Sequence, residues 1–289
     1  MIDILSATLR LSCPILFAAL GGLLCEASGI SALCLEGVLL LSAFVSASVA
    51  YWTQDIFLSL LSGMISGGFL MSLHAFLTQK AKAHSIVSGM ALNLLVAGLT
   101  PFLCKIFFGN TTNTPSLSLQ NRMMDGSIFS HHPLVVLSLF LPWILHFIFF
   151  QTRFGLHLRS AGEGPQALET SGVGLFKVRL LALFWGGIIT SLGGIYLSLG
   201  HSSQFLRDMS AGRGFIALAA IILGGWKPLP TLLAALLFGF TEALQINLQN
   251  ISLAGYSLPF QLTQCLPYLI TLGILALSVR RNQAPKALT

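Results

Sequence analysis

Nine strongly apolar runs divide this chain, at Leu5–Leu24, Leu33–Trp52, Ile56–Thr78, Ile86–Phe108, Pro133–Phe150, Val178–Leu199, Phe215–Trp226, Leu229–Leu248 and Phe260–Val279. Several approach or exceed the ~18–20 residues that cross a bilayer core. No water reaches a peptide group inside a bilayer, so each run must satisfy its own backbone as a helix. The runs are continuous rather than alternating, which argues against a transmembrane β-barrel. The expected fold is all-α: a polytopic transmembrane helical bundle of eight or nine spans forming a single domain over 1–289. The seventh run is too short for a regular crossing. It reads as a half-helix or a broken span, of the kind tolerated where protein or a cavity covers the backbone.

Composition agrees. Only 8% of the 289 residues are charged and 55% are hydrophobic, against roughly 25% charged in a soluble domain. The net charge is +6. In a soluble chain that balance would suggest nucleic acid, but no basic run with interleaved aromatics is present, so no nucleic-acid partner is expected. Here the cations orient the spans, because Lys and Arg concentrate in cytoplasmic loops. One set of connections holds Lys80, Lys82, Arg153, Arg159, Lys177, Arg179, Lys227, Arg280, Arg281 and Lys286; the other holds only Arg10, Lys105, Arg122, Arg207 and Arg213. The richer side is expected to be cytoplasmic, with the C-terminus inside and the N-terminus outside. The opening stretch MIDILSATLR lacks a basic region and a cleavage site, and reads as part of a first span rather than a removable signal.

Two connections are long. The loop at about 109–132, rich in Asn, Thr and Ser, is expected outside. The stretch from Phe154 to Arg179, with its cytoplasmic segment at about 154–177, carries charges punctuated by glycine. Turning the chain needs only four or five residues, so a structured polar platform there suggests a docking surface for a soluble partner.

An internal echo is visible. Leu20-Gly21-Gly22-Leu23 precedes a short polar connection and Leu35-Glu36-Gly37-Val38. Leu192-Gly193-Gly194-Ile195 precedes another connection and Gly212-Arg213-Gly214-Phe215. The first glycine pair falls near an inner end and the second near an outer end. An inverted repeat, which places a substrate path at its interface, has this form. Glycines that let helices approach closely have it too.

Enzyme chemistry is missing. There is no phosphate loop, and no Gly-Lys pair anywhere. No H-E-x-x-H occurs, and His131-His132 is the only adjacent histidine pair. The cysteines, Cys13, Cys25, Cys34, Cys104 and Cys265, form no CxxC and read as small buried hydrophobes. No cofactor or metal is expected.

Polar residues within spans are costly in lipid and usually face a bundle interior or a water-filled path. Glu36 sits near the inner end of the second span. Asn93 follows Gly89 by one turn on the fourth. Glu242, Gln245 and Gln249 share one face of the eighth. Glu36, Asn93, Glu242 and Gln245 are the substrate-path candidates; each also reads as a structural hydrogen-bonding group. His74 reads as a satisfied interior histidine. Only Glu36 and Glu242 are acidic residues clearly within apolar spans, which is thin for an ion-coupled pump.

Four segments carry a resemblance that runs nearly end to end: LFAALGGLLCEASGISALCLEGVLLLSAF (16–44), HAFLTQKAKAHSIVSGMALNLL (74–95), FGLHLRSAGEGPQALETSGV (154–173) and AGRGFIALAAIILGGWKPLPTLLAALLFGFTEALQ (211–245). The chain resembles the inner-membrane permease subunits of bacterial ABC importers for simple sugars and nucleosides, within the branched-chain amino acid/ribose-type permease family, and looks most like the nucleoside branch. That resemblance implies a multi-pass protein of the cytoplasmic membrane, embedded in the lipid bilayer and performing no bond chemistry. It implies a cytoplasmic ABC ATPase, a second permease subunit in a heterodimer, and an extracytoplasmic substrate-binding protein. The cargo would be a nucleoside, purine above all, or a related ribosyl compound. A ribose- or galactose-type sugar is the alternative within the class, and an ion-coupled secondary transporter the alternative outside it. The segment matching Leu158–Val173 would form the coupling helix seated in the ATPase, with Arg159, Gly162, Glu163, Ala167 and Gly172 in that contact. Gly162 and Gly164-Pro165 are expected to start this helix and Gly172 to end it. The chain departs from the family at Ile30 to Leu35, where an Asn and a Gly usually precede the Glu-Gly pair, and at Gly164 and Glu169.

Overall fold

The computed structural model describes residues 2–117, 132–249 and 284–288, together with 252–253, 256–257 and 273. Its helices are α1 (Ile2–Ala27), α2 (Leu35–Thr53), α3 (Ile56–Gln79), α4 (Ser85–Phe108), α5 (Pro133–Gln151), α6 (Arg153–Glu163), α7 (Pro165–Thr170), α8 (Leu175–Ile195), α9 (Arg213–Leu223) and α10 (Pro228–Gln249). Seven among the described residues are long and apolar enough to cross a membrane, and α9 is a shorter apolar helix. The ninth expected run, Phe260–Val279, lies outside the described residues apart from Gly273, as do Cys265 and most of the loop at 109–132. The only described strands are an antiparallel pair, Ser252–Leu253 with Tyr256–Ser257. The all-α bundle read from the sequence is what the chain forms.

Burial sorts the helices. On α1, every residue from Ile15 to Leu20 is fully shielded. In contrast, α3, α4 and α5 turn Phe69, Leu94 and Phe140 outward, as helices facing lipid do. The most shielded of the described spans is α1, and small residues bring α8 close to its neighbours. A Cβ on Gly186 would come 2.6 Å from the carbonyl oxygen of Gly21 on α1. One on Gly67 of α3 would come 2.8 Å from that of Gly187. Lipid tails are as apolar as leucine, so such close van der Waals contact is what holds membrane helices together.

Two connections leave the bundle ends and run inward. Residues 28–34, between α1 and α2, pass under α3 and α4. There Asn93 Nδ2 donates to the Leu33 carbonyl at 2.7 Å, and Asn93 Oδ1 accepts from the Gly37 amide at 2.8 Å. Asn93 is eight residues into α4, roughly 12 Å along its axis, so α2 begins well inside the bundle. His74 fixes the same connection. Its Nε2 lies 3.1 Å from the Ser31 carbonyl, which can only accept, so that nitrogen carries the proton. Its Nδ1 then accepts from Ser88 Oγ at 3.0 Å. The satisfied interior histidine expected from the sequence is in place.

From the opposite end, α8 continues through a π-helical turn, Tyr196–Ser202. The following residues are tied to the end of α4: the Thr114 amide donates to the Phe205 carbonyl and the Arg207 amide to the Thr112 carbonyl. The chain then descends past Phe44, whose ring meets Phe205 edge-on at 5.3 Å, and opens α9 at depth. The seventh run is therefore a half-helix of 11 residues, Arg213–Leu223. Helices α2 and α9 start nose to nose inside the bundle and run apart.

Candidate coupling surface and transport path

The polar stretch after α5 folds as two short helices rather than one. Thr152 caps α6, its hydroxyl accepting from the Gly155 amide at 3.2 Å. The buried residues Gly155, Leu158, Ala161 and Gly162 recur at helical spacing and lay one face of α6 on the bundle. Gly162 does not start a helix, as its sequence context suggests. It sits in the last turn of α6, buried against the Ala27 carbonyl at the end of α1, where a Cβ has no room. The break is at Gly164, and Pro165 opens α7 at a position where its missing N–H costs nothing.

Gly172 ends α7 as expected. It takes φ +83°, a left-handed conformation that glycine adopts without steric cost. Its amide donates to Glu169 O at 3.0 Å, and the Val173 amide donates to Leu168 O at 3.4 Å. This paired pattern is the Schellman stop, whose usual companion is an apolar contact across the turn. Here Val173 and Leu168 share a small cluster with Ala161, Val178 and Leu175. Leu168 is the buried residue of α7. Gln166, Ala167, Glu169, Thr170 and Gly172 are exposed. Glu163 is exposed at the end of α6, and the Arg159 guanidinium lies 5.0 Å over the Phe150 ring. Four of the five coupling candidates thus lie on the outward side or its edge, while Gly162 supports them from beneath. Arg179 braces the platform from α8, donating through Nε to Ser28 O at 2.9 Å and through Nη2 to Ala161 O at 3.3 Å.

The same end of the bundle gathers the other cationic connections. Arg159, Glu163, Trp226, Lys227 and Pro285 line one cavity of about 340 Å³ beside α6. Ala287 lies against Gly29. The segment 284–288 therefore shares a face with α6 and α7.

At the nose-to-nose junction, Glu36 is half-buried in the first turn of α2. Its two carboxylate oxygens accept from the Gly212 amide at 2.8 Å and the Gly214 amide at 2.7 Å, in the opening turn of α9. Two helix N-termini, each carrying partial positive charge, converge on one carboxylate. Gly214 has no room for a side chain, since a Cβ would sit 2.5 Å from the Glu36 amide nitrogen. Both Glu36 and Asn93 spend their polar atoms on the chain's own backbone.

Glu242 is placed differently. It forms an ion pair with Arg213 at 3.7 Å, longer than a hydrogen bond, with side chains only 19% and 16% exposed for Arg213 and Glu242 respectively. Arg213 Nη1 donates to Met209 O at 3.2 Å. Arg213 Nε and Glu242 Oε2 are buried with no hydrogen-bond partner. Gln245 lies half-buried one turn further along α10, and the side chain of Gln249 lies outside the described residues. The sequence groups Arg213 with the outer-loop cations; the descent of residues 203–212 instead carries it into the bundle, beside both Glu36 and Glu242.

Sequence reasoning missed Glu26. It falls two residues beyond the first apolar run, but α1 extends to Ala27. The carboxylate is buried and accepts from the Trp226 indole at 2.6 Å. Trp226 takes φ +54°, a left-handed turn that costs a bulky residue about 1–2 kcal/mol. Half-helix α9 is thus held at both ends by carboxylates, Glu36 at its start and Glu26 at the turn after it. The Gly224-Gly225 pair before Trp226 was the available signal for this tight turn.

Comparison with known proteins agrees with this architecture. Residues 4–275 match the family described as branched-chain amino acid transport system / permease component. The chain is 34% identical to the nucleoside ABC transporter permease protein NupC of Lactococcus lactis subsp. cremoris, over 96% of this chain and 92% of that one. It is 32% identical to the guanosine ABC transporter permease protein NupQ of Bacillus subtilis, over 98% and 94%. In fold it is similar to an inward-facing putative metal-chelate type ABC transporter, with a TM-score of 0.52 and 16% identity over 96% of this chain and 85% of that chain. The helical bundle with its broken seventh segment is a multi-pass membrane protein, and the chain belongs to the branched-chain amino acid-type transport system permease family.

Proposed function

We propose that this chain is a permease subunit of an ABC importer for nucleosides, purine nucleosides above all, working by alternating access in a bacterial cytoplasmic membrane. The observation that carries the reading is similarity at 32–34% identity over nearly the whole chain to permeases of nucleoside and guanosine transporters. The geometry supports it. A chain with no phosphate loop suits a motor carried on a separate subunit, and α7 turns four polar or small side chains away from the bundle. In the proposed assembly a cytoplasmic ATPase grips the platform through Glu163 at the end of α6, Ala167 on α7 and Gly172 just after it, with Arg159 at the rim. Gly162 transmits the motion to the end of α1. A second permease subunit and an extracytoplasmic binding protein complete the importer. The face carrying α6, α7 and residues 284–288 is cytoplasmic in this scheme, which puts the C-terminus inside.

Two packed arrangements of a bundle suffice for a switch. Here the movable part is α9, which is joined to α2 through a carboxylate rather than by continuous helix. We assign Glu36 and Asn93 to the walls of the path, where they set helix starts. Glu242 and Gln245 are assigned to the cargo route. The unmet hydrogen-bonding capacity of Glu242 and Arg213 suits the hydroxyls and ring nitrogens of a nucleoside, whose binding needs a few placed polar groups among apolar and aromatic ones.

The test is reconstitution with a candidate ATPase, second permease and binding protein from the same organism, followed by ATPase assay with purine nucleosides and with simple sugars. Stimulation by nucleosides alone is expected, and Glu242→Gln should lower it. Equal stimulation by sugars would remove the nucleoside assignment, and uptake that follows a proton or sodium gradient without ATP would remove the ABC reading.

A further inference from the structure

A second cavity, of about 430 Å³, opens on the same face as α7 but toward the outer surface of the bundle, where α3 ends and α8 begins. Its lining includes Gln79, Lys80, Ser85, Glu169, Phe176 and Arg179. Two cations face one carboxylate across it. Lys80 is exposed, and its Nζ rests 5.0 Å over the Phe176 ring with no carboxylate within ion-pair distance among the described residues. Gln79 contributes a buried Nε2 that has no hydrogen-bond partner. Lys82 and Lys177, both exposed, each adjoin a lining residue, Ala83 and Phe176. The rim is therefore cationic, with unspent donors.

What borders the cavity narrows the occupant. Phe76 is one turn before Lys80 on the same face of α3 and is 52% exposed. On α8, Leu181 and Phe184 are exposed as well. Phe184 lies against α3, where a Cβ on Gly68 would come 3.0 Å from its ring. The polar, cationic hollow thus adjoins α3 and α8, whose outward faces carry exposed apolar side chains. A soluble anion would need the hollow alone. A molecule with an anionic head and hydrocarbon tails would use both, and basic pockets between transmembrane helices at the membrane surface are where such heads are held.

We propose that this cavity is a binding site for the phosphate head of an anionic glycerophospholipid. Its phosphate oxygens accept from Lys80, Gln79 and Ser85. Its acyl chains lie along Phe76, Leu181 and Phe184. Glu169 belongs to α7, and Arg179 holds both Ala161 of α6 and Ser28 before α2, so the bound head touches the platform itself. Lipid in the site would steady α7 against the bundle.

The experiment uses the full-length chain, purified in detergent and delipidated. It is titrated in separate arms with phosphatidylglycerol, with phosphatidylcholine of the same chains, and with inorganic phosphate. Retained lipid is read by native mass spectrometry and stability by Tm. Phosphatidylglycerol should be retained and should raise Tm, phosphatidylcholine much less, and inorganic phosphate not at all. Lys80→Gln should weaken phosphatidylglycerol retention about fivefold, the value of one lysine at a membrane surface, and Lys80→Arg should restore it. Phe76→Gln should weaken it independently through the tail contacts. Equal retention of the two lipids, undiminished retention in both Lys80→Gln and Phe76→Gln, or a Tm rise from inorganic phosphate equal to that from phosphatidylglycerol would each overturn the proposal. None of these readings depends on the cargo or on the ATPase.

Discussion

The junction of α2 with α9 and the surface of α7 treat polar groups in opposite ways. At the junction, Glu36 gives both oxygens to backbone amides of α9, and Asn93 gives its whole amide to the start of α2. On α7, Leu168 alone is buried, and Gln166, Ala167, Glu169 and Thr170 face away from the bundle. Inside a bilayer an unpaired polar group costs several kcal/mol, so at this junction spare capacity is removed. Where water and a partner are available, it can be left open. In the proposed assembly, the contrast separates residues that build this molecule from residues through which it would be driven. Arg213 and Glu242 are a charged pair that combines an interior position with unmet capacity, which the neutral hydroxyls of Ser48 and Thr190 share without the charge.

Substitutions at the two regions should break differently. Glu36→Leu is expected to have the largest effect on stability. It strips two amides of charge-assisted partners worth ~1.5–3 kcal/mol each, so about 3–6 kcal/mol of stability should be lost, seen as a fallen Tm and loss of monodisperse protein. Full stability in that variant would mean that something other than the carboxylate holds α9. Asn93→Leu leaves one carbonyl and one amide unpaired, and about 2 kcal/mol should go, at ~1 kcal/mol for each neutral bond. Gly172→Val meets no neighbouring atom, because nothing lies within 4 Å. Its cost is the left-handed backbone, about 1–2 kcal/mol, confined to the end of α7. Folded protein should be recovered at the parental level in membranes while ATP-driven uptake falls several-fold. Glu163→Lys, at an exposed site, should change stability by less than about 0.5 kcal/mol and still slow coupled uptake. If the Gly172 and Glu163 variants both transport normally, the α6–α7 platform is not the point of drive.

The bundle was legible in the sequence because bilayer thickness imposes a length on apolar runs. The half-helix was legible for the same reason, since 12 apolar residues cannot span. The end of α7 was legible from Gly172, where backbone chemistry is local. What resisted reading was depth. Residues 203–212 look like an outer loop by composition, and nothing in their sequence reports that they plunge far enough to bring Arg213 beside Glu36. That placement comes from contacts such as Phe205 on Phe44, between positions more than 150 residues apart. Glu26 was hidden by a boundary: the apolar run stops at Leu24, yet the helix continues to a buried carboxylate whose partner, Trp226, lies 200 residues away. Gly162 shows the converse error. Glycine between two short polar helices reads as a helix start, but it is there because α1 approaches too closely for a side chain.

The claim on which the rest depends is that α7 faces the compartment of the motor. Introducing Ala167→Cys and exposing right-side-out and inside-out membrane vesicles to a membrane-impermeant thiol reagent tests it directly, with the parent chain as the control. Labelling of the variant only in inside-out vesicles is the expected result. Labelling in right-side-out vesicles, with none in the inverted ones, would contradict the account.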